Sequence, residues 1–407
     1  MTLLLGSSLA QAIPLALSPI LTRIYSPEEF GVVTIYLSLV SIIAVLATGR
    51  YELAIVQPEK RADAISIVVL CCSITIVVSG ILFLFVLFFN EQIAILLGEK
   101  QLGPWLFLLP VSIFLTGMHK SLNYWYVRNK QFKLVAASNV AQGMTTPTTQ
   151  VIFNGMSGGL ILGSLLGTAA SGLVLLKQCL KKEKKSFATV TKVKMVEQAK
   201  RYSKLPKYSL AGSFADNTSQ QLPVFFITRV FNSHATGLFS LTMRVINLPL
   251  TLISRSVSQV VLQKVADLNN TSPSQIKALI IKLFVLLLAI NLPLIAVIWF
   301  FGGDLFSFVF GERWREAGEL GRILVFALAI RFAVSPLSVV MTLDRNVRSG
   351  VVWQFMYLVT ISLTLYFLSS YDLEVFMTGL VIHEVVLYVL YLVLIISSTN
   401  YKKGIEE

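Results

Sequence analysis

The chain has 407 residues, 55% of them hydrophobic and only 14% charged, well below the roughly one quarter charged of a soluble domain. A net charge of +13 would suit a nucleic-acid binder, but the cations sit in short loops on one side of the apolar stretches, which argues against nucleic acid. Apolar runs of about 18–25 residues recur from end to end, each long enough to cross a hydrocarbon core of roughly 30 Å, and none shows the roughly ten-residue alternation of an outer-membrane barrel. The fold class expected is all-α, a polytopic integral membrane protein.

The first run, 3–23, lacks a basic leading region and a small-residue cleavage site, so it reads as a transmembrane helix and not as a removed signal. It closes in LTRIYSPEEFGVV (21–33), where Ser26-Pro27 and two acids make a turn and Arg23 stands at the end of an apolar run. Further spans are expected at 30–50, 64–89, 104–127, 133–153, 158–180, 207–229, 237–262, 276–300, 318–342, 349–369 and 373–396, twelve with the first. Connections are short except 181–206, which holds KKEKK and no apolar run. The predicted organisation is a six-helix lobe over 1–180, a basic cytoplasmic linker over 181–206, a second six-helix lobe over 207–396 and a tail over 397–407. Trp105, Trp299 and Trp314 lie near span ends and read as interface anchors. Cys71, Cys72 and Cys179 have no metal spacing and read as small apolar residues.

Lysine and arginine mark one side of the membrane: Arg50, Lys60, Arg61, Arg128, Lys130, Lys133, the 181–206 cluster, Lys264, Arg345, Arg348, Lys402 and Lys403. The opposite loops are acidic, with Glu28, Glu29, Glu91, Glu99, Asp304, Glu312, Glu316, Asp372 and Glu374. The bias places both termini in the cytoplasm. LTRIYSPEEFG (21–31) also aligns without a gap on ITRVFNSHATG (227–237), and Gly98-Glu99-Lys100 on Gly311-Glu312-Arg313, so the halves read as parallel repeats about an axis along the membrane normal.

A charge at the bilayer centre costs at least about 2.5–3.5 kcal/mol, so such residues face a bundle interior or a wet cavity. Here they are mostly basic: Lys120, Arg244, Arg255, Arg322 and Arg331, with Arg50 ending the second span. Lys120, Arg244 and Arg331 are expected in a cavity, because a packing role would need a buried acid for each. Arg50 and Arg255 either line its cytoplasmic mouth or snorkel to the interface. Arg244, Asn247, Thr251, Arg255 and Ser258 share one helical face, and Thr34, Ser38, Ser41, Val45 and Thr48 occupy nearly the equivalent series in the first half. Two facing polar stripes would line a hydrated cavity; alternatively, the hydroxyls pack helices. Asp216 is expected to pair with a base or bind a coupling cation, and Glu384 beside His383 to be a proton site or a structural pair. No nucleotide-binding loop, metal cluster or extramembrane catalytic domain is evident, so the chain reads as a non-enzyme with no cofactor beyond a coupling H+ or Na+.

SPILTRIYSPEEFG (18–31), GRYELAIVQP (49–58), WYVRNKQFK (125–133) and LGSLLG (162–167) resemble the bacterial polysaccharide flippases of the Wzx type, within the multidrug/oligosaccharidyl-lipid/polysaccharide (MOP) exporter superfamily. The resemblance spans essentially the whole chain. It implies two pseudo-symmetric lobes in a V, as in MATE transporters, around a cationic cavity. It also implies translocation of undecaprenyl-diphosphate-linked oligosaccharides to the periplasmic leaflet of the inner membrane, for O-antigen, capsule or exopolysaccharide assembly. Partners implied are the lipid-linked oligosaccharide, the bilayer, and a polysaccharide polymerase and chain-length regulator. Arg23 and Arg50 match the family's arginines; the near absence of a segment before the first span departs from its pattern. A MATE-type drug or metabolite antiporter is the alternative, disfavoured by a basic cavity.

Overall fold

The computed structural model describes residues 12–188, 190–268, 273–342 and 347–398, except the side chains of 182–186, 188, 252, 255, 266–268, 273–274, 342 and 347–348. Among these residues every regular element is helical and none is a strand. Besides a single α-turn at Gly103–Leu106, the α-helices are α1 (Ser18–Ile24), α2 (Pro27–Ile43), α3 (Arg61–Leu97), α4 (Leu109–Arg128), α5 (Phe132–Ile152), α6 (Gly159–Ala188), α7 (Lys192–Arg201), α8 (Leu210–Val230), α9 (Ser233–Leu268), α10 (Pro273–Phe310), α11 (Arg315–Val334), α12 (Val347–Leu368) and α13 (Leu373–Ser397). Apart from α7, which lies in the basic linker, each overlaps one expected span. Six helices are individually long and apolar enough to cross a membrane, and up to nine if each bent pair counts as one span.

Local sequence explains where these helices start and stop. The Ser26 hydroxyl accepts the Glu29 amide and the Glu29 carboxylate accepts the Ser26 amide, a closed capping box with Pro27 in the first turn. The LTRIYSPEEFG stretch is therefore a corner: α1 and α2 meet at 117°. At its other end α2 stops at Ile43, short of the expected residue 50. Gly49 and Arg50 are both left-handed, with φ of 60° and 65°, and the chain passes into a single 3-10 turn, Tyr51–Ala54. Gly98 closes α3 in the same left-handed way, at φ 77°. Within the linker Thr191 caps the start of α7 by accepting the Lys194 amide at 3.4 Å.

The chain forms two compact units, Met1–Gly237 and Leu238–Glu407. In the first, Trp125, Tyr126, Ile55, Ile67, Val68 and Cys71 belong to one apolar cluster, against which Ala199 of α7 and Tyr202 just past its end pack. Cys71 and Cys179 are buried there, as small apolar residues should be. Glycine lets α6 close on α5: a Cβ on Gly163 would come to 2.3 Å of the Gln150 side chain, and one on Gly167 to 1.8 Å of the Thr146 hydroxyl. This is the packing function of LGSLLG.

In the second unit Gly302 of α10 and Gly318 of α11 meet backbone to backbone, leaving no room for a Cβ on either. Trp314 is fully buried, not an interface anchor, because the short turn Glu312–Trp314 folds its indole back into the core. Trp299 is 46% exposed, as an anchor should be, whereas Trp105 packs against Gly158.

Candidate functional site

In the first unit the left-handed backbone at Arg50 aims its guanidinium at two partners. Its Nε donates to the Ser209 hydroxyl at 3.3 Å, and Nη1 lies 3.6 Å from the Glu52 carboxylate. A non-glycine residue at positive φ costs about 1–3 kcal/mol and persists only where the surroundings enforce it. Here Glu52 does so: it is 3% exposed and also accepts the Thr48 hydroxyl at 2.5 Å. Lys120 of α4, half-buried, donates to the Ala44 carbonyl at 2.9 Å and lies within electrostatic reach of both Arg50 and Glu52. Two cations thus surround one carboxylate, a cluster with net positive charge suited to an anion.

The polar stripe of α2 has a different use from lining a cavity. Ser38 donates to Gln221 at 2.7 Å and Ser41 to Asn217 at 3.4 Å, so α2 and α8 are joined by side-chain hydrogen bonds. Ser38 is buried, and Val45 and Thr48 lie beyond the end of the helix, off its face. At Ser38 and Ser41 the hydroxyls hold the first half of the repeat to the second.

In the second unit Arg244 lies on α9, exposed, with half-buried Asn247 one turn later. No hydrogen bond or ion pair joins Arg244 to another described residue. The Arg255 side chain is outside the described residues. Arg331 of α11 sits 6.0 Å from the Tyr388 ring centre, a cation–π distance. Tyr357 of α12 donates to the Glu384 carboxylate of α13, which is 8% exposed and within electrostatic reach of Arg331. His383 is equally buried, its ring edge-on to Tyr357 at 5.6 Å, and neither ring nitrogen has a hydrogen-bond partner among the described residues. Glu384 is therefore partnered by Tyr357, and His383 contacts the same phenol from the side.

Arg23 is exposed in the last turn of α1 and joins neither cluster. Asp216 is half-buried on α8 and forms no salt bridge among the described residues. Sequence reasoning missed Glu52, Ser209 and Tyr357. Only Glu52 carried a signal, an acid two residues after Arg50 inside GRYEL; Tyr357 was one of many tyrosines in apolar helices.

Residues 20–319 match the family described as polysaccharide biosynthesis protein. The chain belongs to that family. No curated protein sequence matches this family member. Among solved structures, a multidrug resistance MATE family transporter of the MOP superfamily in an inward-facing conformation is similar, with TM-score 0.76 at 12% identity, covering 97% of this chain and 96% of that one. The lipid II flippase MurJ in an inward closed conformation is also similar, with TM-score 0.74 at 15% identity, covering 96% and 86%. A third is a MOP superfamily transporter from Pyrococcus furiosus described as having a binding pocket of reverse polarity, with TM-score 0.66 at 12% identity, covering 98% and 96%. The family member thus has the fold of MOP superfamily membrane transporters, as the motifs implied.

Proposed function

We propose that this chain is a flippase for undecaprenyl-diphosphate-linked oligosaccharides, moving them from the cytoplasmic to the periplasmic leaflet of a bacterial inner membrane by alternating access between two six-helix lobes, 1–180 and 207–396. Both termini are cytoplasmic in this reading, from the lysine and arginine bias. The observation that carries it is Arg244, an arginine inside an apolar helix, exposed and without an acid among the described residues. Such a charge is retained at a cost of several kcal/mol only where a ligand or a wet cavity receives it. An anion with several oxygens is the fitting guest, because arginine grips phosphate in a fork. In this reading Arg50 and Lys120 are further anion contacts of the first unit, Arg331 is one of the second, and Arg255 is carried from the sequence alone. Asn247 would face sugars, and Arg23 would be a last contact at the periplasmic mouth. Glu384 or Asp216 would carry the coupling ion.

Flux of a fluorescent polyprenyl-diphosphate saccharide across proteoliposomes tests the proposal. Arg244→Ala should lower the rate about 10- to 100-fold, the loss of one charge-assisted contact, at unchanged expression. Full transport in that variant would remove Arg244 as the central site. The likeness to the MATE transporter keeps a drug or metabolite antiporter as the second reading. Mass spectrometry of co-purifying lipid separates the two, since only the flippase should retain polyprenyl-diphosphate sugars.

A further inference from the structure

The corners at 21–31 and 227–237, aligned in sequence, touch each other in the fold. Gly31 in the first turns of α2 lies against Ser233 at the start of α9, and Gly237 in the first turns of α9 lies against Pro27 at the start of α2. In the repeat register Pro27 corresponds to Ser233 and Gly31 to Gly237, so the contact is reciprocal about a pseudo-twofold axis. On that same crossing Glu28 meets His234, its own repeat mate: Nδ1 to Oε1 is 2.6 Å, with side chains 50% and 38% exposed. A distance that short suits a charge-assisted bond.

The neighbouring charges are otherwise engaged or exposed. Glu29 accepts the Ser26 amide, and Arg229 donates to the Ile95 carbonyl at 2.9 Å. Buried Glu99 accepts the Gln101 amide, while Arg23 and Lys100 are exposed. Partial burial pushes the Glu28 carboxyl up, but hydrogen bonds from Ser26, His234 and its own amide, with the imidazole's charge, outweigh it and hold the carboxyl at about 2. Glu28 is therefore anionic at any physiological pH, so the pair can change charge only through its other partner, and histidine is the side chain that serves as a proton switch near neutrality.

We infer that Glu28 and His234 form a proton-sensitive latch between the two repeats at the periplasmic end of the transporter. With His234 protonated the ion pair adds to the glycine crossing and favours closure of that end. With the imidazole neutral, the attraction falls to that of an ordinary hydrogen bond, and opening becomes easier. A half-exposed pair is worth little in absolute terms, so the latch biases the gate and does not lock it. The inference rests on the transporter reading only in taking this end as one that opens, and its test uses no substrate.

The experiment is a distance measurement between spin labels at Glu91→Cys and Arg313→Cys, exposed positions beside the acidic loops of different repeats, in lipid nanodiscs. The native cysteines are buried or half-buried and compete little for label. Between about pH 5 and pH 8 the ratio of long to short distances should rise about two- to fivefold. His234→Gln and Glu28→Gln should each abolish that response. Because the two positions are repeat mates, the exchange Glu28→His with His234→Glu should restore it, which a merely structural role would not require. Distances that do not change with pH in the native chain, or a response that persists in His234→Gln, would overturn the latch. Either result would leave lipid flipping to be judged by the flux assay.

Discussion

Gly31 and Gly237 occupy equivalent places on the two halves, and each leaves space for the backbone that opens the other's helix. A Cβ on Gly31 would lie 1.9 Å from the Ser233 carbonyl oxygen, and one on Gly237 would lie 1.8 Å from the Pro27 carbonyl oxygen. Neither obstacle is a side chain that could swing away. Gly31→Ala and Gly237→Ala should therefore each destabilise the fold by about 1–3 kcal/mol, the usual cost of overpacking, despite alanine's better helix propensity. A Cβ on Gly80 would meet nothing within 4 Å, so Gly80→Ala should hold or raise the melting temperature. Thermal unfolding in detergent, read by loss of the monodisperse peak, would rank the three.

The repeat behind that crossing was legible in the sequence as a gapless match of Thr-Arg, an aromatic residue and a closing glycine, but the match did not say that the two corners touch. Helix positions were legible too, since apolar length alone dictates a span. The site was less so. The α2 stripe was visible as periodic hydroxyls, but periodicity cannot say whether a partner helix or water faces them; Gln221 and Asn217 decide that for Ser38 and Ser41. The early end of α2 depends on a left-handed Arg50, which no propensity predicts for an arginine. Trp314 looked like an anchor by its position and is buried by the turn that carries it.

Acid should expose the contribution of Glu28. Its carboxyl is held at about 2, against an ordinary 4.5, so the folded state binds the proton less readily than the unfolded chain. The stabilisation is complete above the ordinary value and is lost as pH falls from there through about 2. Glu28→Gln should lower the melting temperature slightly at pH 7, the group being half-exposed, and the gap to the native chain should close on acidification. A gap that widens toward acid would contradict this assignment.

Tyr357 supplies the hydrogen bond to the buried Glu384 carboxylate. Tyr357→Phe keeps the ring and removes the donor, leaving a desolvated acceptor short of a partner, at a cost of about 1–3 kcal/mol. Tyr357→Phe combined with Glu384→Met removes both polar groups and should cost less than the two single changes added together. A double-mutant cycle on melting temperature measures that coupling; strict additivity would show that the two side chains act independently.

Glu52 restrains the cations that the substrate would need. It is buried, lies 3.6 Å from Arg50, and is within reach of Lys120, so it competes with any anion for both. Glu52→Gln preserves shape and the acceptor for Thr48 but removes the competing charge. Pyrophosphate, a probe for the diphosphate head group, should then bind about three- to tenfold more tightly by calorimetry, a range set by an effective dielectric near that of a protein surface. Arg50→Ala and Lys120→Ala should weaken binding, and Arg50→Ala in the Glu52→Gln background should return affinity toward the native value. Tighter head-group binding should also slow release, so flux in Glu52→Gln should fall even as occupancy rises. If flux and affinity rise together, Glu52 does not limit retention, and its role is confined to holding the left-handed turn at Arg50.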